Sequence, residues 1–460
     1  MYQLFYLLLF ITLSCPAVAD DLMSLYQRAV MASPELNSSE YALEIARAQE
    51  DQAFGKLLPR VDVNGNYSFN QQHRQQIPNA PRDTGAASTT NYPGQRASVT
   101  ARQPLFDLQA YLLMKSQESR TSQGEEDLLA AHQKLIADLV ERYINALNTA
   151  DKSQIIAAEL SSTEKQLDWV TAMQARQLAL ITDLYQLQAR TDTLRTELID
   201  SENNARIALE KLRELTGDAV TSIQPARLDA IQPAPEGSIE TWVQQAGSLN
   251  PELQALKYAV ESARRSISGY QAGHLPRIEL QLSGTYSNTL YSNQQTTPYD
   301  VGTVGVDATI PIYGGGIVSA QVREAEARKR LSEAKLEQKL REMEQMTRAA
   351  YLEMATSPAR NQATDRQLAA SEKSRDAMKK GYEYGIVTII DLLSAEKQLS
   401  EARKVQREAR YRYLKARSAL YYQSGRLIAD ELVQLNGWLV AQAPVSKVSK
   451  AGRKLLRVLP

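Results

Sequence analysis

From Val61 to Asn70 the chain alternates apolar and polar positions one for one. Val61, Val63, Gly65, Tyr67 and Phe69 fall on one face, and Asp62, Asn64, Asn66, Ser68 and Asn70 on the other. A period of two with one apolar face predicts a strand. The return strand is expected from about Arg96 to Gln103, after a Gln/Asn/Pro/Ser/Thr/Gly-rich loop at 71–95. The same alternation recurs at Ile278, Leu280, Leu282, Gly284 and Tyr286, with a return strand carrying Val304, Val306, Ala308 and Ile310. Elsewhere the period is helical. Residues 21–55 carry Leu22, Leu25, Ala29, Leu36, Leu43 and Ala46 at helical spacing. Residues 107–176 contain no Pro and a single Gly, Gly124. A helix over that stretch reaches about 105 Å at 1.5 Å per residue. Leu135, Leu139, Tyr143 and Leu147 form its apolar stripe. A matching helix is expected at about 318–384, with Pro358 marking a kink or a local break. Return helices are expected at 185–216 and 392–424, and Gly314-Gly315-Gly316 as the turn from strand to helix.

These elements occur twice in the same order. Ser33-Pro34-Glu35-Leu36 returns as Asn250-Pro251-Glu252-Leu253, and Leu58-Pro59-Arg60 as Leu275-Pro276-Arg277. Ile181-Thr182-Asp183-Leu184 returns as Ile389-Ile390-Asp391-Leu392, and Leu215-Thr216-Gly217 as Gln423-Ser424-Gly425. Ordered matches over so long a span indicate a duplicated unit. The expected organisation is a first repeat at 20–236, a second at 237–443, and a basic, solvated tail at 444–460.

Residues 1–19 carry no charge and run from an apolar stretch into Ala17-Val18-Ala19. This predicts a secretory signal peptide, too short in its apolar run for a spanning helix. Cys15 follows Thr12-Leu13-Ser14, which does not fit a lipobox, so lipidation is not expected. The 53 basic and 53 acidic side chains cancel, against the basic surplus of a nucleic-acid binder. Mean hydropathy is −0.40, too polar for a bundle of membrane helices. Three His and one Cys leave little for metal, cofactor or thiol chemistry, and no nucleophile motif appears, so no enzyme is expected.

Strands with one apolar face fit an outer-membrane barrel, yet four strands cannot close one. Open strand edges in lipid leave backbone groups unpaired. Several chains must therefore pool their strands, and three would give twelve. Asp62, Asn64, Asn66, Glu279 and Gln281 then line a wet interior. The long helices must extend away from the lipid.

The duplicated Pro-Glu-Leu and Leu-Pro-Arg landmarks, the strand pairs, and the turns Leu180-Ile181-Thr182-Asp183-Leu184 and Gly381-Tyr382-Glu383-Tyr384-Gly385-Ile386-Val387-Thr388-Ile389-Ile390-Asp391 together resemble the TolC family of trimeric outer-membrane efflux and secretion channels. The resemblance covers roughly 21–440. It implies a mixed α and β fold: a trimeric twelve-stranded outer-membrane barrel, continuous with a periplasmic α-helical coiled-coil tunnel ringed by a mixed belt at 218–240 and 426–440. It implies an exit duct for small molecules or unfolded proteins. The implied partners are outer-membrane lipid, a periplasmic adaptor (membrane fusion) protein and an inner-membrane RND or ABC transporter, with no cofactor and no nucleic acid.

The family closes its periplasmic tip with inter-helix bonds. Thr182 and Asp183 match the first-turn partners there, and Tyr382 matches the tyrosine that bonds to that Asp. Asp391 matches one ring of the aperture. Like-charge repulsion among three copies would raise its pKa and favour cation binding. Its other reading is a helix cap. Two positions depart from the pattern: the basic lock residue falls at Val387 and the second aperture Asp at Ser394. Leu180, Gly385 and Thr388 fall where the tip meets its adaptor. Tyr67, Tyr286, Tyr291, Tyr299 and Tyr313 suit an interfacial girdle, and the tyrosines at 411, 413, 421 and 422 suit helix packing. The rival function is a trimeric autotransporter-like adhesin. Its four strands would be consecutive at the C-terminus, unlike the two separated pairs here.

Overall fold

Proline breaks the chain where the sequence pattern alone reads as one helix. In the computed structural model, residues 21–55 form two helices, α1 (Leu22–Ala32) and α2 (Pro34–Gly55). Pro34 has no N–H to donate and pushes Ser33 out of the helical region, to ψ 113°. Ser33 Oγ then accepts from Leu36 N at 3.3 Å, so the break doubles as a cap. The described residues are 20–74, 88–226, 233–289 and 298–439. The signal peptide with Cys15, the tail at 444–460, Tyr291 and the loop segments 75–87 and 290–297 lie outside them.

Two hairpins follow the expected order. Strands β1 (Arg60–Arg74) and β2 (Ser88–Phe106) pair antiparallel, with Val63 opposite Val99. They lead into α3 (Leu108–Ala175) and α4 (Ile181–Thr216). The second copy runs α5 (Ile239–Leu249), α6 (Pro251–Gln271), β3 (Arg277–Thr289), β4 (Tyr299–Thr309), α7 (Ile317–Glu383) and α8 (Ile389–Gln423). It ends with α9 (Ala429–Leu439). Both strands of the first hairpin are longer than the alternation predicts. Gln71, His73, Asn91 and Thr89 are ladder residues, not loop. Alternation persists there without apolar contrast, so it leaves no mark in the sequence. Pro93 is tolerated in β2 because the β2–β3 pairing begins only at Gly94. Helix α7 passes Pro358 without a break, contrary to that alternative of the sequence reading. Gly315 and Gly316 take φ 63° and 80°, making the expected turn into α7.

The chain divides into two compact units, each built from both repeats. One unit, Ser38–Leu128 with Pro251–Leu340, holds the whole sheet. Its strand order is β1-β2-β3-β4, all antiparallel, and among the described residues β1 and β4 are its open edges. The row Val63, Val99, Gly284, Gly302 crosses one face, as does Val61, Ala101, Leu282, Val304. That face leaves Val63 75% and Phe69 81% exposed, an apolar surface of the kind that marks membrane or protein contact. Tyr67 and Phe69 meet edge to face at 5.3 Å on it. The opposite face carries the rows Asp62, Thr100, Ser283, Thr303 and Asn64, Ser98, Thr285, Val301. Charge gathers toward one end of that face, at Arg60, Asp62, Arg102, Glu279 and Asp307, and Arg96 stands further along it in the row Asn66, Arg96, Ser287, Tyr299. Among the described residues no helix is long and apolar enough to cross a membrane.

The other unit, Leu129–Asn250 with Arg341 onward and the chain start, holds the main core. Leu139, Tyr143, Leu212, Trp242, Tyr413 and Leu432 bury against one another there. Tyr411 and Tyr413 are buried packing residues, as their helical positions suggested, with hydroxyls bonded to Asp151 Oδ2 (2.9 Å) and Pro233 O (2.9 Å). The two long hairpins repeat each other's links. Arg195–Glu164 (2.9 Å) ties α4 to α3, and Arg403–Glu372 (3.5 Å) ties α8 to α7 at equivalent positions.

Candidate functional site: the paired helical turns

Each long hairpin ends in a short turn. Helix α3 stops with Gln177 left-handed (φ 58°), Gln177 N bonding Gln174 O (2.8 Å) and Leu178 N bonding Met173 O (2.9 Å). Helix α7 stops in the same way. Gly385 has φ 70°, Gly385 N bonds Tyr382 O (3.0 Å) and Ile386 N bonds Gly381 O (2.8 Å). Both are Schellman turns, which satisfy carbonyls the helix end leaves free.

The next helix starts differently in the two copies. Leu180 occupies the N-cap of α4 and offers no side-chain acceptor. Thr388 occupies the N-cap of α8 and forms a full capping box. Asp391 N donates to Thr388 Oγ1 (3.3 Å), while Thr388 N (3.1 Å) and its hydroxyl (2.7 Å) donate to Asp391 Oδ2. These bonds hold the Asp391 carboxyl below its usual pKa. Within one chain the shift thus runs opposite to the raise expected from three copies around an aperture. Asp391 is exposed, and so is Ser394 one turn further on.

Asp183 holds the position in α4 that Asp391 holds in α8. Without a threonine to cap, its Oδ2 accepts instead from the Tyr382 hydroxyl at 3.2 Å, tying α4 to α7. Burial, and then the Asp183 charge, push the Tyr382 phenol up to about 12, so it remains a donor. Thr182 sits exposed beside this bond. Val387 packs on Gly381, where a Cβ would meet its methyl at 3.2 Å. It contributes apolar contact between the end of α7 and the start of α8.

Beneath the turns Val170, Leu187, Ile389 and Leu392 form a small buried cluster, with Tyr382 and Leu184 against it. Outside it the turns bare a set of large apolar side chains: Leu178, Leu180, Ile181 and Tyr185 on one, Tyr384 and Ile386 on the other. Two contributors escaped the sequence reading. Trp169 meets the Tyr382 ring edge-on at 6.1 Å and lines a groove of about 280 Å³ with Lys165 and Lys379. A lone aromatic on a helix gives no signal. Glu396, 6% exposed, accepts from Gln166 Nε2 (2.9 Å) and faces Arg375 (3.9 Å), joining α8 to α3 and α7. It was visible as the one charge interrupting the stripe Leu392, Ala395, Leu399. Among the described residues no group of His, Cys, Asp and Glu is placed to hold a metal ion.

The family described as outer membrane efflux protein matches residues 25–218 and 242–426, both repeats almost whole. The chain belongs to that family. It is 28% identical over 443 residues to outer membrane protein TolC of Escherichia coli K12, covering 93% of this chain and 86% of the relative. It is 26% identical over 420 residues to alkaline protease secretion protein AprF of Pseudomonas aeruginosa, covering 90% and 86%. The fold superimposes on the Campylobacter jejuni CmeC outer membrane channel with a TM-score of 0.76 at 17% identity, covering 91% of this chain and 90% of that one. The chain is therefore an outer-membrane exit duct with the mixed helical and barrel fold, and the adhesin reading is not favoured. The family is one of channels, and its members act as trimers with adaptors and inner-membrane transporters.

Proposed function

We propose that three copies of this chain pool their sheets into a twelve-stranded barrel. Through it, small molecules or unfolded proteins delivered by an inner-membrane RND or ABC transporter leave the periplasm. The observation that carries this reading is the four-stranded sheet, with one apolar face and two open edges. Such a sheet is unstable in lipid unless other copies complete it. The two repeats, 20–236 and 237–443, are the duplicated units from which each protomer is built.

The paired turns are the gate. Tyr382 and Asp183 tie one hairpin to the other, Thr182 lies beside that bond, and Val387 makes a closure weaker than a charged lock. Asp391 rings the aperture with Ser394 below it. Its Oδ2 serves the α8 cap while the carboxylate's charge faces the pore. A periplasmic adaptor meets the turns at Leu180, Gly385 and Thr388. The bared apolar side chains around them support this, since such clusters mark interaction surfaces.

The test is conductance of the purified protein in planar bilayers. Discrete channels are expected, blocked by divalent cations from the periplasmic side. Asp391→Asn keeps an acceptor for the cap and removes the charge, so block should weaken. Unchanged block rejects the aperture role. Absence of discrete channels in both proteins rejects the duct.

A further inference from the structure

The sheet's open edges raise a question of register: which residue of β4 meets which residue of the next copy's β1? The inference rests on the trimer reading above and sharpens it. Following one row across the sheet leads from Val63 through Val99 and Gly284 to Gly302. In a closed barrel that row does not return to Val63 of the next copy. It returns displaced along β1 by the shear of one protomer.

Strand tilt bounds the displacement. Four strands span about 19 Å across the sheet, and each residue rises about 3.4 Å. A barrel tilt of roughly 35–45° then allows a shift of about four or about six residues per protomer. Shifts of about two or eight give tilts near 20° or 55° and fall outside. The direction is fixed as well. A shift the other way sets most of β4 beside residues before Arg60, where β1 has not begun. An even shift keeps lipid-facing residues beside lipid-facing residues.

Side-chain chemistry decides between the two. With the smaller shift Asp307 lies opposite the partner's Asp62, two carboxylates facing each other, and Asp300 lies opposite the partner's Phe69. Like charges directly across a ladder destabilise it. With the larger shift Asp307 meets the partner's Asn64 and Asp300 the partner's Gln71. Val304 meets the partner's Tyr67, an aromatic against a β-branched side chain. Gly302 falls beside an aromatic ring in either register, the partner's Phe69 in the larger and the partner's Tyr67 in the smaller, so it does not separate them. All eleven residues of β4 find partners within β1 in either register, so the side chains alone decide.

We propose that the protomers join β4 to β1 in this larger-shift register, with Thr303 opposite the partner's Ser68 on the water-filled face. In a Cys15→Ser background, Thr303→Cys is combined in turn with Ser68→Cys, Asn66→Cys and Asn64→Cys. Disulfide formation needs Cβ atoms about 4 Å apart, and one pair-step along the strand takes them beyond reach. Oxidation of membranes should give a covalent trimer with Ser68→Cys and roughly tenfold less with the other two. Each variant is also sized in detergent without oxidation. A variant that is trimeric there and crosslinks through Asn66→Cys or Asn64→Cys overturns the register and leaves the trimer standing. So does a trimer in which none of the pairs crosslinks. If unmodified protein is monomeric in detergent, the trimer falls and this register with it.

Discussion

The two long hairpins follow the same order of elements, and they solve the same turn in different ways. In the α7–α8 turn the left-handed position is Gly385, and Thr388 and Asp391 close a capping box. In the α3–α4 turn the left-handed position is Gln177, and the cap is Leu180. The first turn is locally self-sufficient. The second leaves Asp183 uncommitted, and that carboxylate is what reaches Tyr382 on α7. A poorer local turn thus frees the group that makes the long-range tie.

The two hairpins differ most at their other ends. Gly425, like Gly217, is left-handed, but a Cβ on Gly425 would sit 2.3 Å from the Leu249 carbonyl oxygen, whereas one on Gly217 would meet only the Ala32 methyl at 3.0 Å. Gly425→Ala should cost roughly 3–4 kcal/mol, from left-handed strain plus overpacking against backbone. Gly217→Ala should cost about 1–2 kcal/mol. Thermal denaturation in detergent compares them, and equal losses would remove the distinction. At the turns, Gly385→Ala should cost about 1–2 kcal/mol, and Gln177→Gly should gain about 0.5–1 kcal/mol.

Capping sharpens the comparison further. Thr388→Ala should cost about 1 kcal/mol. Leu180→Thr should create a capping box at Asp183, draw its carboxylate from Tyr382, and raise channel open probability while the hairpin itself becomes more stable. A Leu180→Thr protein that gates as before would sink the idea of competition between cap and tie. A comparably small effect is expected for Tyr382→Phe, at most about 1 kcal/mol because the bond is half exposed. Its pH signature has a definite sign. The folded phenol lies at about 12 and the unfolded one near 10.0, so its contribution is full below pH 10 and lost as pH climbs between the two. Tyr382→Phe should make the alkaline fall in unfolding midpoint between pH 9 and 12 shallower without removing it, because burial also pushes up the phenols of Tyr26, Tyr143, Tyr411 and Tyr413.

Element types were legible because two periods, two and about 3.6, run cleanly through the chain. Element ends were less so. Pro34 and Pro251 are landmarks in the sequence, but only backbone geometry shows that each splits a helix. The strands outrun their apolar alternation because backbone ladders pair Gln, Asn and Thr as readily as Val. At the turns, Thr388-Ile389-Ile390-Asp391 spells a capping box that the sequence displays openly; the sequence reading set Asp391 itself at the start of the helix, whereas Thr388 holds the cap and Asp391 the third position of α8. The Asp183–Tyr382 tie joins residues far apart in sequence, so only resemblance pointed to it. Trp169 stayed invisible for the same reason.

The wet face of the sheet carries mainly Ser, Thr and Asn along its middle, with Arg96 among them, and further fixed charge gathers near one end. Hydroxyls and amides both give and take hydrogen bonds, so a solute sliding past exchanges one water-like neighbour for another. Such a wall offers no deep wells to a neutral solute, and its fixed charges, Arg96 among the hydroxyls and the cluster near one end, are where a charged cargo is held or turned away.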